Sequence, residues 1–224
     1  ETVLADDEVD AVIIATATDT HADLIVAAAK AGKAIFCEKP VDLDFKKVEK
    51  CLEIVSAQKV PLALGFNRRF DPNFRELKEQ LSVGRIGELE MISITSRDPS
   101  PPPIDYIKVS GGLFRDMMIH DFDMARWLLA EEPTEVYATA SCLVDPEIAL
   151  AGDVDTAMVI LKTASGRLCQ INNSRRASYG YDQRIEVFGS SGMLRMENET
   201  ANRVECFDSK GVSASKPLYF FLER

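Results

Sequence analysis

Residues 11–16, AVIIAT, form an unbroken apolar and β-branched run. A run without alternation suits a strand covered on both faces, as in a parallel sheet. The spacing then turns helical in DTHADLIVAAAKAGK, with Asp19 or Thr20 as the expected N-cap and Gly32 as the stop. AIFC is a second short apolar run, and DLDFKKVEKCLEIVSAQK follows with Phe45, Val48, Leu52 and Val55 at helical spacing. VPLALGF is a third strand. Strand and helix alternating at this spacing predict βαβ units, right-handed crossovers and a parallel sheet.

DPNFRELKEQLSVGRIG predicts another helix, with Pro72 tolerated in its first turn. Beyond Gly87 the texture changes. ELEMISITSRD is rich in strand formers, and PSPPPIDYIKVSGG reads as a Pro-rich loop kept out of helix and sheet interiors. LFRDMMIHDFDMARWLLA predicts one strongly apolar helix. After Pro133 the chain reads as strands broken by the turn signals ASG, SSG and SKG. The fold class is therefore α/β: a parallel sheet over residues 1–66, then an α/β domain over residues 67–224 with a large open, mostly antiparallel sheet.

Composition narrows the function classes. The chain has 224 residues, 46% of them apolar, and a net charge of −10. That charge argues against nonspecific binding to nucleic acid or to an anionic membrane surface. No apolar run approaches the roughly 18 residues of a membrane helix. The five cysteines show no metal-ligand or CxxC spacing, and there are only two histidines, so no metal site is expected. Reduced thiols in a cytoplasmic protein follow. The opening ETVLADDEVD reads like the middle of a domain, and PLYFFLER stops inside an apolar segment, so further chain is expected at both ends.

Candidate chemistry gathers at three places. In an open parallel sheet, ligands bind at the carboxyl ends of the strands. Lys39, within Glu38-Lys39-Pro40, follows AIFC at that edge, and Pro40 is expected to hold its backbone extended. The bland alternative is a solvated loop pair. Thr16 and Thr18 occupy the same edge, with His21 in the next helix turn; alternatively the threonines satisfy loop backbone and His21 is a surface residue. Asp116 and His120 lie four apart, on one face of an otherwise apolar helix. They form an inventory for proton transfer, or else a structural Asp–His bond in a core. Asp121 and Asp123 read as solvated or paired with Arg126. Arg97, Asp98, Tyr179 and Tyr181 offer a polar rim for a sugar or polyol, or a surface ion pair and packing aromatics.

Taken together, ATATDTHADLIVAAAKAGKAIFCEKP, GFNRRFDPNF, ITSRDPSPPP and GGLFRDMMIHDFDMARWLL resemble the glucose-fructose oxidoreductase/inositol dehydrogenase (Gfo/Idh/MocA) family, in its inositol 2-dehydrogenase branch. The resemblance runs over essentially the whole chain. It implies an N-terminal Rossmann domain, here partial, followed by a substrate and oligomerisation domain whose open sheet makes homodimer or homotetramer contacts. It implies Lys39, Asp116 and His120 as the catalytic trio, with His120 taking a ring hydroxyl proton, Lys39 holding the same oxygen and Asp116 positioning substrate and imidazole. Thr16, Thr18, His21, Glu38, Lys39, Asn67 and Arg68 match the cofactor side, and Arg97, Asp98, Tyr179 and Tyr181 the polyol side. The cofactor implied is NAD, with NADP also allowed, because the residue that reads the ribose 2′ position and the GxGxxG turn are not among these 224 residues.

The implied activity is oxidation of a ring secondary alcohol of a cyclic polyol, myo-inositol to 2-keto-inositol. Its rivals are a family oxidoreductase acting on another sugar or polyol, and a non-catalytic truncated interaction protein.

Overall fold

The computed structural model describes residues 2–219 and 223. The closing FFL and the last residue lie outside the described residues, and with them most of the apolar end noted above. The chain divides into two compact units, residues 1–67 with 109–111, and residues 68–108 with 112–224.

In the first unit, β1 (Ala11–Ile14), β2 (Ala34–Cys37) and β3 (Leu62–Leu64) form a parallel sheet in the order β1-β2-β3. Helices α1 (Thr18–Lys30) and α2 (Phe45–Gln58) connect them. The core joins Ile14, Ile35 and Cys37 of the strands to Ile25, Ala28 and Ala29 of α1 and Cys51 and Val55 of α2. Within these residues Ile14 is buried and Ile13 is 78% exposed.

Two helix details depart from expectation. Neither Asp19 nor Thr20 caps α1: the helix starts at Thr18 after Ala17, which makes no side-chain cap. The Thr20 hydroxyl instead donates back to the Ala17 carbonyl at 2.7 Å, and Gly32 ends the helix in the left-handed region at φ 71°. In α2, Phe45 and Leu52 are exposed while Cys51 and Val55 are buried. The buried stripe is rotated toward Cys51, and Asp44 caps the helix by accepting from the Lys46 amide at 2.9 Å.

The second unit starts with α3 (Pro72–Ser82), capped by Asp71, which accepts from the Asn73 amide at 2.9 Å. Its sheet has the order β5-β6-β7-β4-β8-β9. The strands are β4 (Leu89–Arg97), β5 (Pro133–Ser141), β6 (Thr156–Thr163), β7 (Leu168–Ser174), β8 (Asp182–Gly189) and β9 (Gly192–Met196). Every pairing is antiparallel except β4 with β7. One face carries Ile92, Ile94, Val159, Leu161, Ile171, Ile185 and Val187 against Phe74 and Leu77 of α3 and Met124, Leu128 and Leu129 of α5 (Ile119–Leu129). The other face is open. Leu168, Met91, Phe188 and Met193 meet there in register across four strands, each 41–47% exposed.

Four further readings change. The Pro-rich stretch is a loop only as far as Pro103; α4 (Ile104–Ser110) begins immediately after it, with the Pro103 carbonyl accepting from the amides of Tyr106 and Ile107. The apolar helix expected from Leu113 is two pieces, a π-helical turn over Leu113–Met117 and then α5. Gly112 leads into that turn at φ 76°, and a Cβ there would overlap the Asp153 carboxylate. A short helix α6 (Pro146–Leu150) interrupts the strands. Finally, β10 (Glu205–Asp208) and β11 (Gly211–Ala214), joined at the SKG turn, form a separate exposed hairpin rather than extending the large sheet.

Candidate active site

In the first unit, the carboxyl ends of the three parallel strands bring Thr16, Thr18, Glu38 and Lys39 to one edge of the sheet. His21 is not a surface residue. It is 2% exposed, with Nδ1 2.8 Å from the Pro40 carbonyl and Nε2 3.0 Å from the Thr16 carbonyl. One ring thus ties the loop after β1 to the loop after β2. Thr16 and Thr20 share a hydroxyl–hydroxyl bond of 2.6 Å. The Lys39–Pro40 peptide is cis.

Gly65 explains the placement of Glu38. A Cβ on Gly65 would lie 2.7 Å from Glu38 Oε2, so the carboxylate in this position rests over the end of β3 in the space a side chain there would take. Asn67, in the 3-10 turn after β3, donates its amide to the Gly65 carbonyl at 2.9 Å.

In the second unit, Arg68 is committed to a buried network. Its guanidinium pairs with Asp121 and donates to Ser96 Oγ at 3.0 Å. Asp121, fully buried, also accepts from Ser96 at 2.6 Å and from Asn173 Nδ2 at 2.9 Å. Asp123 takes a two-pronged pair from Arg69 at 2.6 and 2.8 Å. The expectation that these two aspartates are solvated or pair with Arg126 is therefore overturned; Arg126 pairs with Glu132. A carboxylate this deep needs a cationic partner. The matching arginines stand more than fifty positions earlier in the chain.

Asp116 sits within the π-helical turn and His120 in the first turn of α5. A π turn winds more slowly than an α-helix, so the simple i, i+4 face does not describe the pair. Asp116 Oδ1 accepts from the Tyr106 phenol at 2.9 Å. Asp116 lines a pocket of about 420 Å³, together with Asp98, Tyr106, Arg175, Tyr181 and the prolines at 99 and 101–103. Burial pushes the Tyr106 phenol up to about 12, with Asp116 adding to the shift. Burial pushes the Asp98 carboxyl up to about 6 against the opposing pull of Arg175 and Arg68.

Of the four residues expected at the polyol, the pocket gathers Asp98 and Tyr181 only. Arg97 and Tyr179 belong to a separate network around Asp182. Arg97 donates to the Tyr179 oxygen at 3.0 Å and to Asn172 at 2.9 Å, and the Tyr179 phenol donates to Asp182 at 2.5 Å. Arg97 is the last residue of β4, and Asp98 follows it outside the strand.

Tyr106, Arg175 and Tyr219 line the pocket without a motif in the sequence to single them out. The signal for Arg175 is the parallel register of β4 with β7, in which Arg97 is opposite Ser174. The next residues, Asp98 and Arg175, leave the sheet side by side, with the Asp98 amide donating to the Ser174 carbonyl at 3.0 Å. Among the described residues no group of His, Cys, Asp and Glu could hold a metal ion.

Comparison with known proteins agrees with this architecture. Residues 1–66 match the family described as an oxidoreductase family with an NAD-binding Rossmann fold, and residues 74–195 match the GFO/IDH/MocA C-terminal domain. The chain is 58% identical over 217 residues to the inositol 2-dehydrogenase of Rhizobium meliloti, covering 97% of this chain and 66% of that protein. It is 54% identical over 222 residues to the myo-inositol 2-dehydrogenase of Thermotoga maritima, covering 99% and 66%. The chain thus spans 66% of the length of these curated relatives. The crystal structure of a myo-inositol dehydrogenase from Corynebacterium glutamicum superposes with a TM-score of 0.94 at 45% identity, covering 100% of this chain and 67% of that one. The scyllo-inositol dehydrogenase of Lactobacillus casei, solved with bound NAD(H) and scyllo-inositol, gives a TM-score of 0.88 at 30% identity, covering 99% and 67%. By its two domain matches, its fold and the extent of these similarities, the chain belongs to the Gfo/Idh/MocA family of oxidoreductases.

Proposed function

We propose that the protein containing this chain oxidises a ring secondary alcohol of a cyclic polyol, myo-inositol to 2-keto-inositol, with NAD as the acceptor. The observation that carries the reading is the polar make-up of the pocket in the second unit. Two carboxylates, three phenols and a guanidinium stand beside a wall of prolines. A neutral ring bearing a hydroxyl on each carbon needs acceptors and donors together, with an apolar wall for its C–H faces. The relatives named as inositol dehydrogenases support the same class.

The donor set at the sheet edge of the first unit fits a dinucleotide. Gly65 leaves a cradle that a Cβ would fill, and the Glu38 carboxylate lies in it. With the hydroxyls of Thr16 and Thr18 it offers partners for ribose hydroxyls and a carboxamide, and His21 fixes the two loops that carry them. When bound, NAD supplies the hydride acceptor. In this reading residues 1–66 hold the cofactor and residues 67–224 hold the polyol. His120 takes the hydroxyl proton, Lys39 stabilises the negative charge that develops on the oxygen, and Asp116 accepts a substrate hydroxyl. Arg68 contributes through the Asp121 network. Arg97 and Tyr179 shape the edge of the sheet through Asp182 rather than lining the pocket.

The open sheet face supports a homodimer or homotetramer, since a contiguous apolar row of Leu168, Met91, Phe188 and Met193 is the kind of patch that marks an interface. The compartment we assign is the cytoplasm. All five cysteines are free thiols, and burial pushes Cys37 up to about 11 and Cys169 up to about 12. Among the described residues no helix is long and apolar enough to cross a membrane.

The test is turnover by the full-length protein with NAD, comparing myo-inositol with linear polyols and aldoses at matched concentrations. Reduction of NAD with myo-inositol at the highest kcat/KM supports the reading. Turnover confined to aldoses, or none with any polyol, overturns it.

A further inference from the structure

Arg175 is 1% exposed and is among the largest fully buried side chains. Its place is set by its backbone: it follows the last residue of β7, and its amide donates to the Asp155 carbonyl at 2.8 Å. A guanidinium withdrawn from water is costly unless its donors are used. Here they are only partly used. The nearest carboxylates, Asp116 Oδ2 and Asp153 Oδ2, both stand 3.8 Å from Nη2, beyond hydrogen-bonding range. Among the described residues, Nε and Nη2 have no hydrogen-bond partner. The Asp153 oxygens are already engaged by the Leu113 amide at 3.0 and 3.1 Å. Asp116 is engaged at its other oxygen by Tyr106. Arg175 therefore lines the pocket with a guanidinium whose donors are only partly satisfied.

The occupant must supply an acceptor oxygen, and the charges around Arg175 select its type. Asp98 and Asp116 line the same pocket and Asp153 adjoins, so an anionic ligand would meet net negative charge. A hydroxyl oxygen accepts from the guanidinium without that repulsion, and its own proton is free for a carboxylate. We propose that Arg175 is a substrate-binding and specificity residue, its guanidinium donating to one ring hydroxyl oxygen while Asp98 and Asp116 accept hydrogen bonds from neighbouring hydroxyls. The inference rests on the polyol reading above and assigns the pocket a cationic floor that the arginine in SRDP does not provide.

The experiment uses the full-length protein with Arg175→Lys and Arg175→Met. For each, KM and kcat with myo-inositol are measured, and NAD binding and polyol binding are followed separately by calorimetry. Removal of the guanidinium donor to a substrate hydroxyl raises KM and the polyol Kd by about 30-fold or more in Arg175→Met. Lysine keeps the charge but lacks the fork, so its KM rises while NAD binding stays at the wild-type value. Because Arg175→Met can disturb folding, deoxy-inositols lacking single hydroxyls provide a second measurement. One of them loses the same factor on the wild type, and loses little further on Arg175→Lys. Wild-type KM in Arg175→Lys together with full additivity of every deoxy-inositol overturns the inference. A wild-type protein that neither binds nor oxidises any polyol overturns the functional reading itself, and the inference with it; an active wild type with indifferent Arg175 variants overturns the inference alone.

Discussion

The phenol of Tyr106 donates to Asp116 Oδ1 at 2.9 Å, tying α4 to the π-helical turn. This bond fixes which carboxylate oxygen faces Arg175, since Oδ2 is the atom 3.8 Å from its Nη2. Tyr106→Phe removes the donor and keeps the ring. With Tyr106 46% exposed, stability changes by no more than about 1 kcal/mol. The kcat/KM for polyol falls about tenfold, the loss of one hydrogen bond to a charged group. Thermal melts and steady-state kinetics on the same preparation separate the two effects.

Asp98 gives the pocket a titration near neutrality. Its folded value of about 6 stands above the ordinary aspartate value near 4. A raised carboxyl binds its proton more tightly in the folded state, so its contribution to stability is fully present below about pH 4 and is lost as pH rises through about 6. Polyol binding runs the other way, because the carboxylate form accepts hydroxyl protons. The kcat/KM of the wild type is expected to rise through about pH 6, and Asp98→Asn to remove that limb. A limb of unchanged position in Asp98→Asn would assign it to another group.

Much of the fold was legible because it rests on local signals. The parallel start, the helix spacings and the SSG hairpin follow from patterns a few residues long. The Asp-Pro pair that opens α3 is just as visible at Asp145-Pro146, where Asp145 accepts from the Glu147 amide at 3.0 Å and opens α6. A strand reading of everything beyond Pro133 passes over it. Tertiary partners were not legible. Nothing near Asp121 in the chain announces Arg68, and the placement of Asp98 and Arg175 in one pocket depends on the one parallel register in the large sheet. Of the pocket's lining residues, Asp98, Asp116 and Tyr181 stand in motifs that the sequence displays, whereas Arg175 is placed by sheet pairing.

The Arg68–Asp121 pair supports the second unit. Removing one partner of a buried ion pair strands the other charge. Asp121→Ala is expected to cost about 3–5 kcal/mol of unfolding free energy, read from urea denaturation. Arg68→Met with Asp121→Leu restores part of that loss, because neither charge is left alone.

Asp155 makes the stability of the second unit sensitive to acid. Burial raises its carboxyl, but the amides of Leu143, Asp145 and Val144 and the Cys142 thiol outweigh that and hold it at about 2. The sign is that of a depressed acid: the stabilisation is complete above the unfolded value near 4 and is lost as pH falls through about 2. Asp155→Asn, which offers one oxygen in place of two, costs about 2–3 kcal/mol at neutral pH. The gap between wild type and variant in urea denaturation closes between about pH 4 and pH 2.

The most direct measurement of the account is the turnover of His120→Ala in the full-length protein with NAD and myo-inositol. Loss of a positioned general base lowers kcat by about 10²–10⁴-fold, while the Kd for NAD stays close to that of the wild type. Wild-type kcat in the variant would contradict the proposed role of His120 and the mechanism built on it.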